Sequence, residues 1–468
     1  MKKIIRFVFL LFTISFTTNV FAGIRLPAVI SSNMVLQQQS QAALWGWADP
    51  NEKIVITSSW KNSLDSLTAP SDGRWKIKIS TPVAGGPYTI TLKGRNTIVL
   101  ENVLIGEVWV CSGQSNMEMS NTQQMMDEMP NSANDNIRVF DISRASADYP
   151  QDNCDAKWRV CNAESLRGFT AVGYFFGKKL QKDLNVPIGL IESTWGGTPV
   201  EVWTPAPVIE MDATMKEAAG KLSETLWGPH KAGVLYNGMI APIINYGIAG
   251  AIWYQGEGNT SIPFSYEKTF TSMIGSWRKG FEKEFPFYYV QIAPYIYGRK
   301  YEGALIMEQQ AKTLSYPNTG LVVVTDLVDN IKDIHPKNKY DVGIRLANLA
   351  LGQTYKQNIP VYNSPMYKSM EVNKGKVTLF FTNAPNGFMV KGTEKPTEFL
   401  IAGSDKNFLP ADVKIEKDRI ILSNKQITDP VAVRFSFSNT GMSNVFSKEG
   451  LPLAPFRTDN WEIIPGKE

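Results

Sequence analysis

Between about positions 103 and 355, short apolar runs alternate with segments of helical periodicity. Each run is apolar on both faces, which is typical of strands buried in the middle of a sheet. The runs are EVWVC (107–111), PIGLIES (187–193), IAGAIWY (248–254), FPFYYVQIA (285–293) and GLVVVTD (320–326). The helical segments are 169–184, 265–281, 303–315 and 338–355. This alternation predicts an α/β domain with a mostly parallel sheet that is covered on both sides.

The two flanks of this region carry a different pattern. The chain has 468 residues, too many for one ordinary core, so we expect more than one domain. Short alternating strands separated by turn residues fill 23–102 and predict a small β-sandwich. Strand signals return after the α/β region, as VTLFF, FLIAG, RIILS and AVRFSFS. We therefore predict an N-terminal β domain (23–102), a central domain (103–360) and a C-terminal β region (361–468), with 117–168 as an irregular inserted loop.

The first residues, MKKIIRFVFLLFTISFTTNVFAG, combine a basic start, an apolar run and small residues before position 23. This predicts a signal peptide (1–22) and an exported protein, periplasmic or extracellular, without stable membrane insertion. The formal net charge is +4; removing Lys2, Lys3 and Arg6 leaves 4 − 3 = +1. A nearly neutral surface gives no reason to expect nucleic acid as a partner. The sequence does not indicate the oligomeric state.

Three cysteines are present, Cys111, Cys154 and Cys161. Export permits disulfides, and the last two are close enough in sequence to pair, although the sequence alone does not decide whether they do. Cys111 ends an apolar run, so we expect it to pack as a small hydrophobic residue.

A serine follows the first apolar run directly, in EVWVCSGQSNMEM. Reactive groups of open α/β sheets gather beyond the carboxyl ends of the strands, and Ser115 has this position. Gly113 allows the sharp turn that such a placement needs. The surrounding residues do not form the GxSxG pattern of the α/β-hydrolases, so Ser115 is either a nucleophile or an ordinary turn residue.

The last apolar run is followed by TDLVDNIKDIHPKNK, which contains His335, one of two histidines in the chain. A serine nucleophile needs a base near neutral pH, and histidine is the usual one. Asp333 is two residues before His335, while Asp326 and Asp329 are rival acid partners. The other histidine, His230, has no neighbouring acid and is interpreted as a loop residue.

The remaining strand ends offer groups suited to an oxyanion. Gly196 and Gly197, in STWGGTPVEVW, expose backbone amides, although glycine pairs are also common in tight turns. Gln255, in WYQGEGN, offers a side-chain amide to an oxyanion or to a sugar hydroxyl, or it caps the loop that follows the strand. The polar residues beside these groups are candidates for substrate contacts: Gln114, Asn116 and Glu257. No spacing of metal ligands and no phosphate or dinucleotide loop is found, so neither a metal nor a cofactor is expected.

Taken together, GQSNMEM, STWGGTPVE, LYNGMIAPI, WYQGEGN and DIHPKNKYDVGIRLA resemble the sialate O-acetylesterase group of the SGNH hydrolases. The likeness extends to MVLQQ…LWGWA near the start and APFRTDNW near the end. It implies a three-layer α/β/α hydrolase domain that removes acetyl groups from sugars through an acyl-enzyme, without a cofactor.

The resemblance also assigns roles to residues. It implies Ser115 as nucleophile, His335 as base, and the amides of Ser115 and Gly197 as oxyanion donors, with Gln255 beside them. In the wider superfamily the acid commonly stands three residues before the histidine, but position 332 is Lys here. The acid that completes a catalytic triad with Ser115 and His335 is therefore Asp333, another aspartate, or none.

We interpret the chain as a carbohydrate O-acetylesterase acting on sialic acids. An esterase for acetylated xylan or another plant glycan is the alternative within the enzyme class. A carbohydrate-binding protein without activity is conceivable, given two β regions and 12 tryptophans, but it would make the pairing of Ser115 with His335 a coincidence.

Overall fold

The computed structural model describes residues 23–466. The predicted signal peptide (1–22) lies outside the described residues. None of the helices formed by 23–466 combines the length and the hydropathy of a membrane span.

The elements of the described chain fall into three groups. The first comprises β1 (Val35–Gln37), β2 (Gln41–Trp47), β3 (Lys53–Ser58), β4 (Leu64–Thr68), β5 (Arg74–Ser80), β6 (Gly85–Lys93) and β7 (Thr97–Gly113). The strands of the second are β8 (Asn134–Asp141), β9 (Trp158–Cys161), β10 (Ile188–Thr194), β11 (Gly250–Tyr254), β12 (Phe287–Val290) and β13 (Thr319–Val322). Its helices are α1 (Ser115–Glu118), α2 (Gln123–Glu128), α3 (Ala171–Leu184), α4 (Ala206–Glu210), α5 (Ala213–Ala219), α6 (Tyr266–Gly280), α7 (Glu302–Lys312) and α8 (Lys339–Gln353).

The third group is made of short strands. They are β14 (Met366–Asn373), β15 (Lys376–Thr382), β16 (Phe388–Val390), β17 (Phe399–Ala402), β18 (Leu409–Pro410), β19 (Asp412–Glu416), β20 (Arg419–Ser423), β21 (Ala432–Phe435), β22 (Val445–Ser447) and β23 (Phe456–Arg457). They form two four-stranded sheets and one two-stranded pair, all antiparallel. The C-terminal strands expected from the sequence correspond to β15, β17, β20 and β21.

The central sheet has the order β13-β12-β11-β7-β10-β8-β9. All neighbours are parallel except β9, which runs antiparallel to β8 at one edge. The prediction of a mostly parallel sheet is confirmed, and each of the five apolar runs contributes a strand. The four long helices also form where periodicity predicts them, as α3, α6, α7 and α8.

Both faces of the sheet are covered, as the side chains of β7 illustrate. Val108 and Val110 belong to the cluster that includes Phe270 of α6 and Ile306 of α7. Trp109 and Cys111 point the other way, since successive strand residues alternate between faces, and join the cluster that contains residues of α3 and α8. The result is three layers, with the sheet in the middle.

Strand β7 is 17 residues long and belongs to two parts of the fold. Its first half pairs with β6, and its second half pairs with β10 and β11. The predicted boundary at 102–103 falls inside this strand. The N-terminal β region and the central sheet are therefore joined by a single uninterrupted strand and not by a linker.

One sequence-based expectation is wrong: 117–168 is not only an inserted loop. It contains β8, which pairs in parallel with β10 inside the central sheet. The sequence of β8 is not a continuous apolar run, because Arg138 interrupts it. This arginine is only 2% exposed, and its guanidinium donates to the carbonyl of Asp135. A buried arginine with a backbone hydrogen-bond partner therefore removes the continuous apolar run by which a core strand is identified in the sequence.

The cysteines are free in the structure. Cys111 is buried among apolar side chains, as expected. Cys154 and Cys161 do not pair, and the thiol of Cys161 donates to the carbonyl of Ser132 at 3.2 Å. Burial raises the pKa of both Cys154 and Cys161 to about 12, so these thiols are protonated at neutral pH.

Candidate active site

Ser115 lies where β7 meets α1, at the carboxyl end of the central sheet. The turn depends on Gly113, whose φ of 138° is strained for any residue with a side chain. A Cβ at this position would lie 2.3 Å from the carbonyl oxygen of Tyr254 on the neighbouring strand. Glycine is therefore required for β7 to stay paired with β11 while the chain turns to present Ser115.

His335 reaches Ser115 from the loop between β13 and α8. Its Nε2 lies 2.9 Å from the Ser115 Oγ, although the two residues are 220 positions apart in sequence. Burial lowers the pKa of His335, the positive charge of Lys339 lowers it further, and Asp333 opposes both effects. A neutral imidazole at this distance can accept the serine proton, which is the task of a general base.

Of the three candidate acids, Asp333 lies beside the histidine. Its Oδ1 accepts a hydrogen bond from the backbone N–H of His335 at 2.9 Å and lies 3.8 Å from Nδ1 of the ring. That second distance is too long for a hydrogen bond. Asp326 instead binds Arg345 through both oxygens, at 2.7 and 2.6 Å, and Asp329 faces Lys337 at 3.9 Å.

We predict that Asp333→Asn lowers kcat by less than about tenfold, far below the roughly 10⁴-fold loss caused by replacing a buried triad aspartate. The Asp333 side chain is 41% exposed, so its charge is screened by solvent, and Asn keeps an oxygen for the His335 amide. The measurement is kcat on an aryl acetate, with Asp329→Asn as the matched control in the same loop. A loss of 10³-fold or more would show that Asp333 acts as a full triad member.

The amides expected to bind an oxyanion are not occupied by other hydrogen bonds within the described chain. Within 23–466, neither the Ser115 amide nor the Gly197 amide donates a hydrogen bond to the protein. Gly196 is different, because its amide donates to Glu118 Oε2 at 3.0 Å. A Cβ on Gly196 would lie 3.3 Å from the Ser115 Cβ, so the glycine pair borders the serine.

The surroundings of Gln255 match the loop-capping alternative and not the contact with an oxyanion or a sugar. Its side chain is fully buried, and its amide donates to the Thr198 carbonyl at 3.1 Å and to Asn259 Oδ1 at 2.7 Å. Both amide hydrogens are thus occupied, and the amide has none left for an oxyanion. The geometry supports a role in holding the loop of Thr198 rather than direct contact with substrate.

The three candidates for substrate contact also form hydrogen bonds within the protein. Gln114 accepts hydrogen bonds from the amides of Gly256 and Gly258, at 3.4 and 3.0 Å. Asn116 donates to Glu257 Oε1 at 2.6 Å, and both side chains are buried. These contacts hold the turn of Ser115 against the loop after β11.

Sequence reasoning missed Lys339, which begins α8 and whose ammonium lies 2.6 Å from Asn116 Oδ1. A lysine at the start of a helix carries no signal that separates it from a surface residue. His230 is a half-buried loop residue, as expected from the sequence. Among the described residues, no group of three or more His, Cys, Asp or Glu side chains could hold a metal ion.

Comparison with known proteins assigns the chain to a family. A family model described as carbohydrate esterase, sialic acid-specific acetylesterase, matches residues 105–352. The chain belongs to this family. It is therefore a carbohydrate O-acetylesterase, and the matched range contains both Ser115 and His335.

Individual relatives agree with this assignment. The sialate O-acetylesterase of Homo sapiens is 30% identical over 403 residues, covering 77% of this chain and 77% of the human protein. The mouse (Mus musculus) protein of the same name is 28% identical and covers 89% of this chain and 90% of its own length. The crystal structure of a carbohydrate acetylesterase from Xanthomonas citri has a TM-score of 0.85 and 33% identity, covering 94% of this chain and 100% of that one.

Proposed function

We propose that this esterase removes O-acetyl groups from sialic acids through a serine acyl-enzyme. The observation that carries the proposal is the 2.9 Å contact between Ser115 Oγ and His335 Nε2 at the carboxyl end of the sheet. A hydroxyl becomes a competent nucleophile only when a base takes its proton, and this contact supplies the base.

In the first half of the reaction, Ser115 Oγ attacks the acetyl carbonyl carbon while His335 Nε2 accepts the hydroxyl proton. The carbonyl oxygen becomes an oxyanion, which the amides of Ser115 and Gly197 stabilise by hydrogen bonds. When the tetrahedral intermediate collapses, the bond to the sugar oxygen breaks and His335 gives its proton to that oxygen. The products are the free sugar hydroxyl and acetyl-Ser115.

In the second half, water attacks the acetyl-Ser115 carbonyl and His335 accepts a proton from the water. Collapse of this second intermediate returns the proton to Ser115 Oγ and releases acetic acid, which ionises to acetate. His335 thus serves as base and then acid in each half-reaction.

A groove beside His335 supports binding of a sugar on the leaving-group side. It has a volume of about 480 Å³ and is lined partly by apolar Met119 and Leu327. Polar Asn121, Thr122 and Asn338 also line it. The Thr122 hydroxyl caps α2, and the Asn338 amide is bonded to Gln124 and Asp341. The Asn121 amide is available to exchange hydrogen bonds with sugar hydroxyls. Because His335 protonates the departing oxygen, the sugar must lie on the histidine's side, where this groove is.

The choice of sialic acid is supported by the names of the human and mouse relatives, and acetylated xylan is the alternative substrate. We further propose export to the periplasm or the extracellular space, on the basis of residues 1–22.

The experiment that tests the substrate compares acetate release by the purified protein from O-acetylated sialic acid and from acetylated xylan. We expect kcat/KM to be higher on the acetylated sialic acid. A higher value on xylan would favour the alternative substrate. Release from neither, with aryl acetates still hydrolysed, would point to another acylated glycan.

A further inference from the structure

Lys339 is a buried cation that the reaction described above does not use. Its side chain is 0% exposed, and its ammonium donates to Asn116 Oδ1 at 2.6 Å. The ammonium also lies 5.4 Å from the centre of the Tyr254 ring. Lysines are almost never fully buried unless they are paired, so this placement calls for a reason.

The partner of Lys339, Asn116, connects the catalytic segments. It directly follows Ser115, and its Nδ2 donates to the carbonyl of Ile334, the residue before His335, at 3.0 Å. The same Nδ2 donates to Glu257 Oε1 at 2.6 Å. One amide therefore joins the turn of the nucleophile, the loop of the base and the loop after β11.

This arrangement leaves the Asn116 amide a single orientation. Its oxygen must face the ammonium of Lys339, which can only donate, and its nitrogen must face the two acceptors. If the ammonium were absent, the oxygen would be buried without a partner, and the amide would lose the contact that opposes rotation.

We propose that Lys339 is a positioning residue that orients Asn116 and thereby holds Ser115 and His335 at hydrogen-bonding distance. The proposal rests on the catalytic roles proposed above for these two residues. It assigns Lys339 no contact with the substrate, so its effect should fall on kcat and not on KM.

The charge of Lys339 has a second effect, on the acid side of the pH profile. Burial lowers the pKa of Lys339 to about 7, so the ammonium is charged in the acidic range where His335 titrates. This charge contributes to the lowered pKa of His335, after burial. Other charged groups surround this pair. Glu257, after β11, and Asp333, on the loop of the histidine, oppose the lowering of the Lys339 pKa. In the groove beside His335, Asp329 and Lys337 face each other at 3.9 Å.

The direction of the pH effect follows from the role of His335. The base works when neutral, so activity is present above its pKa and is lost as the pH falls through that value. Removing the positive charge of Lys339 raises the pKa of His335. The acidic limb of kcat/KM should therefore move to higher pH.

The test is Lys339→Met, which keeps the length of the side chain and removes the charge and the donor. We expect kcat to fall by about 10- to 100-fold, the scale of a small misplacement of reacting groups, with KM within about twofold of wild type. Lys283→Met is the matched control: this ammonium donates to the Ile248 carbonyl at 2.6 Å, just before β11, at the opposite end of the strands. The control should leave kcat and the pH profile unchanged.

A second measurement determines the pKa of His335 directly. The chain has two histidines, so ¹³C-histidine labelling gives two ring signals, which His230→Gln assigns. We expect His335 to titrate at higher pH in Lys339→Met than in wild type. An unchanged titration together with unchanged kcat would overturn the proposal, and so would a rise in KM alone.

Folding is checked by circular dichroism. If Lys339→Met does not fold, Lys339→Gln is measured instead, since it retains an N–H donor without the charge. We expect Lys339→Gln to lose less kcat than predicted for Lys339→Met and still to move the His335 titration to higher pH, and an unchanged titration would overturn the proposal. Failure of both variants to fold would assign Lys339 a purely structural role and overturn the proposal. The nucleophile itself is tested separately with Ser115→Ala, so the two proposals can fail independently.

Discussion

Ser115→Ala is expected to lower kcat on an aryl acetate by about 10⁴-fold or more. The variant has no oxygen to form the acyl-enzyme, and His335 loses the group whose proton it accepts. Oxyanion donors and substrate binding persist, so a small residual activity above the uncatalysed rate is expected. Among the described residues the serine hydroxyl forms a hydrogen bond only with His335, so thermal stability should change little.

The measurement is the initial rate of acetate release at saturating substrate. Ser120→Ala is the matched control, since this serine lies five residues further along and its hydroxyl makes no hydrogen bond within 23–466. The control should retain wild-type kcat. Wild-type activity in Ser115→Ala would remove the serine mechanism while leaving membership of the esterase family intact.

Gly113→Ala is expected to destabilise the protein by about 3 kcal/mol or more. A φ of 138° costs an L-residue roughly 1–3 kcal/mol, and forcing a methyl group into a closed space costs about 1–3 kcal/mol more. The new Cβ would lie 2.3 Å from the Tyr254 carbonyl oxygen, so β7 and β11 must separate. That movement also displaces Ser115, and kcat should fall by roughly 10²-fold.

Gly168→Ala separates the cost of the backbone conformation from the cost of the steric clash. Gly168 also has a positive φ, 84°, but no atom lies within 4 Å of the position that its Cβ would take. We expect this control to lose only about 1 kcal/mol, through backbone strain alone. Urea unfolding monitored by tryptophan fluorescence gives both values. Equal losses for the two variants would contradict the steric clash inferred at Tyr254.

The local pattern of the chain predicts most of the central domain. Apolar runs on both faces mark strands that must be buried, and the i, i+3/i+4 pattern marks helices that cover them, because burial repeats with the geometry of each element. Strand β8 shows the limit of this rule. Arg138 is stabilised there by a carbonyl of its own strand, a contact that periodicity does not report.

The candidate active site shows the same division between what the local pattern predicts and what the fold decides. The sequence by itself determined that Ser115 and His335 follow strands. Because the chain has two histidines, His335 and His230 were the only histidine candidates for the base. Their contact across 220 positions was decided by the tertiary structure, because the β7 and β13 ends meet at one edge of the sheet only after folding. The structure likewise decided which aspartate lies beside His335.

Only the tertiary structure could assign Gln255, Asn116 and Lys339 their surroundings. A polar side chain after a strand can face a ligand or the protein, and its neighbours in sequence are the same in both cases. The outcome depends on which donors and acceptors the fold brings within about 3 Å. Periodicity therefore locates the elements that carry the chemistry, while the hydrogen-bond partner of each polar group is set by residues far away in the chain.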